Sequence, residues 1–102
     1  MAYTLSHDTD RVNVALDGRL TFQEQAAFKQ MIGDMQGAGS GTWFVDLSKV
    51  EFMDSAGLGL LLRLKKAADD AGSRLSLRVP GEGQIKRLMD VAKFSELVPI
   101  ET

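Results

Sequence analysis

The chain has no cysteine, one histidine, two prolines, and no apolar run approaching the roughly 20 residues that a membrane-spanning helix requires. Without cysteine there is no disulfide framework, no thiol nucleophile and no thiolate site for zinc or an iron–sulfur cluster. A single imidazole, His7, supplies neither a histidine-rich metal site nor the base of a convincing triad, so no metal and no other cofactor is expected. Charge of one sign is also scarce: 12 basic side chains against 14 acidic ones leave a net charge of −2. Arg63, Lys65, Lys66, Arg74, Arg78, Lys86 and Arg87 are interleaved with acidic residues, which argues for a solvated face and against a nucleic-acid partner. No basic segment leads into an apolar one at the amino end, so the expected location is the cytoplasm, away from the membrane. What remains is 102 residues, 44% of them hydrophobic, enough for one core and one domain over 1–102.

Hydrophobic periodicity divides that length. Val12, Val14 and Leu16 alternate with polar or small residues over Arg11–Asp17, which predicts a strand with one buried face. A shorter strand over Ala2–Ser6 precedes it, joined through an Asp8-Thr9-Asp10 turn into an antiparallel hairpin. Thr21 and Glu24 form a T-x-x-E capping box, predicting a helix whose core stripe is Phe28, Met31, Ile32 and Met35 and which ends at Gly37–Gly41. Trp43-Phe44-Val45, leading to Leu47, reads as a central strand buried on both faces. A second helix runs over Ser55–Ala71, a strand over Leu75–Val79, a third helix through Ile85, Leu88, Met89 and Ala92, and a last strand over Leu97–Ile100. The order ββαβαβαβ implies an α/β fold whose mixed sheet is mostly parallel apart from the opening hairpin, with one sheet face incompletely covered.

The second helix carries more apolar surface than a core requires. At 100° per residue, Gly57, Leu60, Leu61, Leu64, Ala67, Ala68 and Ala71 share one arc facing the sheet. Leu58 and Leu62 project to the opposite side with Ser55, Lys65 and Asp69. Two readings fit them: cover by a neighbouring helix, or a surface held for a partner protein. Asp54-Ser55, directly ahead of this helix, has the composition of an N-cap. The Gly37-x-Gly39-x-Gly41 run follows a helix and precedes a strand, the reverse of the order in nucleotide cradles, and no Gly-Lys-Ser/Thr accompanies it.

The stretch from Asp46 through Met53-Asp54-Ser55-Ala56-Gly57-Leu58-Gly59 closely resembles the signature of the STAS domain family, in particular the stand-alone anti-sigma factor antagonists of bacteria. The similarity extends along essentially the whole chain, including Leu16-Asp17-Gly18-Arg19-Leu20 and Ile85-Lys86-Arg87-Leu88-Met89. It implies a STAS-like single domain with its helices mainly on one sheet face, and a protein-binding role in place of an enzymatic one. The serine after the motif aspartate, here Ser55, is by this resemblance the target of an anti-sigma factor that is also a serine kinase of the histidine-kinase-like ATPase type. Unmodified antagonist binds that kinase and frees the sigma factor; the phosphorylated form releases it and is restored by a PP2C-type phosphatase. The implied docking surface comprises Asp54, Ser55, Ala56, Leu58, Gly59, Leu62 and Thr21. A phosphate adds roughly −1.5 to −2 of charge, tolerable at a helix start but opposed to docking beside Asp54 and the leucines. Two positions depart from the family pattern. Ala56 stands where many members carry a second hydroxyl, and Thr21 where an acidic residue is common. A non-phosphorylated STAS adaptor within a larger assembly, such as a lipid-transport complex, is the alternative implied by the same resemblance.

Overall fold

The computed structural model describes all residues, Met1–Thr102. Its elements are β1 (Ala2–His7), β2 (Arg11–Leu20), a 3₁₀ turn (Phe22–Glu24) leading into α1 (Gln25–Ala38), β3 (Thr42–Met53), α2 (Ser55–Asp70), β4 (Leu75–Arg78), α3 (Gln84–Val91), a second 3₁₀ turn (Phe94–Glu96) and β5 (Ile100–Glu101). The five strands lie side by side in chain order; β1 runs antiparallel to β2 and the other neighbours are parallel. No helix is long and apolar enough to cross a membrane.

Alternation along the strands explains the layering. Val12, Val14 and Leu16 from β2, Trp43, Val45 and Leu47 from β3, and Leu75 and Leu77 from β4 are buried in one cluster with Phe28, Met31 and Met35 of α1, Leu60, Leu61, Leu64 and Ala68 of α2, and Ile85 and Met89 of α3. All three helices therefore cover the same face of the sheet. Trp43, fully buried, has its indole N–H satisfied by the Gly39 carbonyl at 3.0 Å. The opposite face is open, and arginines shield its aromatic residues: Arg11 and Arg78 lie 4.5 and 5.7 Å from the Phe44 ring centre, and Arg19 lies 4.6 Å from that of Phe52. Phe44 is consequently half-buried, and β3 is central without being buried on both faces, contrary to the expectation from its apolar run.

Two further corrections concern where strands begin and end. β2 and β3 continue to Leu20 and Met53, well past the Asp17 and Leu47 ends that alternation suggests. On β3 the reason is a pair of register shifts, opposite Ala15 to Asp17 and Gly18 to Arg19, each placing an extra residue on β3 and interrupting its period of two; β2 keeps its alternation to Leu20 through Gly18, which adopts φ +84°. Buried positions on β3 then pass from Leu47 to Val50 to Met53, a spacing that hides the strand in the sequence. The last strand forms at Ile100–Glu101, not Leu97–Ile100, because Phe94–Glu96 takes up a 3₁₀ turn and Leu77 and Arg78 pair with Ile100 and Glu101.

The capping box does not form. Thr21 makes no side-chain cap, its carbonyl instead accepting the Glu24 N–H at 3.0 Å within the 3₁₀ turn. The Glu24 carboxylate turns to the terminal amine of Met1, 3.2 Å away. A tertiary ion pair has taken the place of the local capping hydrogen bonds.

Candidate docking and modification site

The sheet delivers its information-rich segment at the carboxyl ends of β2 and β3, the edge at which parallel α/β sheets present their functional loops. Three contacts hold it. Gln84, the first residue of α3, brackets the last residue of β3: the Met53 N–H donates to Gln84 Oε1 at 3.1 Å, and Gln84 Nε2 donates to the Met53 carbonyl at 2.6 Å. The amide side chain thus stands in for the strand neighbour that β4, ending at Arg78, does not provide. At Gly57 the first turn of α2 presses on the end of β2, so that a Cβ would lie 2.3 Å from the Leu20 carbonyl oxygen and 2.6 Å from Met53 Cγ. Only glycine permits that approach.

The third contact is Asp54. Its Oδ1 accepts the Gly57 N–H at 2.8 Å, the N-cap bond of α2, and its Oδ2 accepts the Phe22 N–H at 3.4 Å. One carboxylate therefore serves the start of α2 and the turn that leads into α1. Capping rests with Asp54, and the Ser55 hydroxyl forms no hydrogen bond within the chain while its residue is exposed to solvent. Ser55 stands at the first position of α2, and a helix amino terminus favours negative charge added there.

The remaining expected residues divide by position. Ser55, Gly59 and Leu62 share an outward stripe of α2, Leu62 being 46% exposed. Leu58 is half-buried and packs against the core, so the two leucines are not equivalent: one belongs largely to the fold, the other to the surface. Ala56 is half-buried beside Ser55. Thr21 is half-buried on the β2–α1 connection, next to Phe22, whose amide reaches Asp54. Sequence reasoning missed Phe22 and Gln84. Phe22 is 68% exposed immediately beside the Asp54 carboxylate; a large aromatic directly ahead of an amphipathic stripe was its one available signal. Gln84 acts through a contact 31 residues away and leaves no periodic trace.

Comparison with known proteins addresses what such a surface belongs to. A family profile described as "Mlab, STAS domain" matches residues 3–99. The chain belongs to the STAS domain family. This STAS domain is 29% identical over 97 residues to an anti-sigma-B factor antagonist of Staphylococcus epidermidis, covering 95% of this chain and 88% of that one. Its fold is similar to that of an anti-sigma factor antagonist from Mycobacterium paratuberculosis, with a TM-score of 0.82 at 20% identity over 98% of this chain and 84% of the other. It is also similar to the Bacillus cell fate determinant SpoIIAA in its phosphorylated form, with a TM-score of 0.62 at 23% identity over 99% and 92% of the two chains. The single mixed sheet with three helices agrees with the STAS-like fold expected from the sequence.

Proposed function

We propose that this STAS domain is an anti-sigma factor antagonist: a regulatory binding module, not an enzyme, whose docking surface is the start of α2 with the adjoining Phe22 turn. The observation that carries this reading is the exposed, unpartnered Ser55 hydroxyl next to Asp54, flanked by exposed Phe22 on one element and Leu62 on the other. The expected partner is an anti-sigma factor that is also a serine kinase of the histidine-kinase-like ATPase type. It transfers the γ-phosphoryl group of ATP to Ser55 Oγ, releasing ADP and the hydroxyl proton. The unmodified chain binds the kinase and frees the sigma factor. The modified chain carries a near-dianion beside Asp54, and burying that charge against an apolar partner face opposes docking. A PP2C-type phosphatase returns the hydroxyl. The anti-sigma-B factor antagonist of Staphylococcus epidermidis supports the reading by its sequence similarity along nearly the whole chain.

The test is to incubate the protein and ATP with each histidine-kinase-like ATPase of its own genome, map the phosphate by mass spectrometry and measure binding before and after. Phosphate on Ser55 with loss of binding is expected. An active kinase that binds the chain but leaves Ser55 unmodified rejects the switch.

A second reading is favoured by the description of the matching profile, Mlab, and by Ala56, which removes the hydroxyl many relatives carry after the phosphorylated serine. In it the domain is a non-phosphorylated adaptor subunit of a larger assembly, such as a lipid-transport complex. Ser55→Asp then leaves partner binding unchanged, whereas the switch predicts its loss.

A further inference from the structure

Beside the Ser55 stripe, α1 and α2 diverge enough to leave a trough of about 240 Å³ between them. Its floor is Phe28, Ile32 and Leu60; Gln25, Lys29 and Arg63 form its rim. Among the cations of the helices, the two on this rim and Arg87 of α3 make no ion pair. On the outer faces of α2 and α3, Lys65, Lys66 and Lys86 are each paired with an aspartate one turn further on. Lys29 and Arg63 form no ion pair, and no acidic residue stands three or four positions from either along its helix. An apolar floor the size of one or two large side chains, bordered by two cations free of partners, is complementary to an apolar anchor flanked by carboxylates.

Position links the trough to the candidate switch. Ser55, Gly59 and Arg63 follow one another at four-residue spacing along α2, so the row begins at the hydroxyl and ends at the trough rim. Gly59, midway, has nothing within 4 Å of where a Cβ would stand. Glycine in the interior of an exposed helix weakens it relative to alanine, and no internal packing requires one here. The open space there leaves room for close approach by another chain.

We propose that the α1–α2 trough is a second anchor of the docking surface and takes an acidic segment of the partner protein with one large apolar side chain, Lys29 and Arg63 gripping its carboxylates and Gly59 admitting its backbone. This rests on the reading of the α2 surface as a protein-docking face.

The probe is the blocked hexapeptide Glu-Glu-Leu-Phe-Glu-Glu, titrated into the ¹⁵N-labelled protein. Saturable shifts of the Lys29, Ile32, Leu60 and Arg63 amides are expected, weakening with salt, and affinity falls by about tenfold in the Lys29→Glu, Arg63→Glu double variant. Both side chains are exposed, so the variant keeps its fold, which its melting temperature checks. The proposal is overturned if those four amides do not saturate, if the analogue with lysine in place of glutamate binds equally well, or if the double variant binds like the wild type. Ser55 takes no part in this readout. Peptide binding by a chain whose Ser55 is never phosphorylated sinks the switch alone, and phosphorylation without peptide binding sinks the trough alone.

Discussion

The carboxylate of Asp54 accepts the backbone N–H of Phe22, 32 residues earlier, at 3.4 Å while its other oxygen caps α2 through Gly57 at 2.8 Å. Two helix starts that are distant in sequence are thereby tied to one side chain, directly beside Ser55. Asp54→Ala is expected to cost about 1–2 kcal/mol of stability, read by thermal or urea denaturation, and Asp54→Asn less because an acceptor remains. Ser55→Ala, which removes no hydrogen bond, stays within about 0.5 kcal/mol of the wild type. A cost at Ser55 comparable to that at Asp54 would reassign the cap.

The two glycines of the α2 amino end respond oppositely to alanine. Gly57→Ala drives a methyl group into the Leu20 carbonyl and costs about 1–3 kcal/mol. Gly59→Ala meets open space and stabilises the isolated domain by about 0.5–1 kcal/mol, by removing a flexible residue from a helix interior. Urea titration of both variants checks the pair, and weaker partner binding by the stabilised variant would separate docking from folding.

Leu62→Ala leaves stability within about 0.5 kcal/mol and weakens partner binding by about 1–3 kcal/mol. Leu58→Ala destabilises the domain itself by about 1–2 kcal/mol because part of its side chain packs on the core. Calorimetric binding and melting data on the same two proteins distinguish the roles.

Gln84→Ala exposes both polar groups of the Met53 backbone at the end of β3. A loss of about 1–3 kcal/mol follows from leaving part-buried donors and acceptors unpaired. Hydrogen exchange at the Met53 amide should accelerate more than at Val45, deep in the same strand; equal acceleration at both would mean that the loss is global.

Tyr3, the chain's one tyrosine, donates its hydroxyl to Asp34 Oδ2 at 2.6 Å, and this bond, with the adjacent negative charge, raises its ionisation above the ordinary value. The neutral phenol is the donor, so the contact is complete below the unfolded-state ionisation and is lost as pH rises through the folded-state one. An ultraviolet titration should give a midpoint above about 10, and Asp34→Asn should lower it toward that value.

Much of this was legible in the sequence. Alternation at Val12, Val14 and Leu16 and the helical stripe through Leu60, Leu61 and Leu64 report burial directly, because each residue's face is set by a local period. Asp54 and Ser55 stood out by composition, though not which of the two caps the helix. The errors fall where distant partners decide. Glu24 abandons Thr21 for the Met1 amine, Val50 and Met53 keep their burial through register shifts that erase the period, and Gln84 acts across 31 residues. The lack of acidic neighbours around Lys29 and Arg63 was legible in their spacing, whereas the apolar trough between them was not, since it depends on how α1 and α2 pack.

The spatial order of the strands repeats their order along the chain. Each strand emerging from a ribosome therefore finds its neighbour already made, first by a hairpin and then by one helical crossover at a time. No strand must be inserted between two others, and the sheet can lengthen outward from β1 as synthesis proceeds.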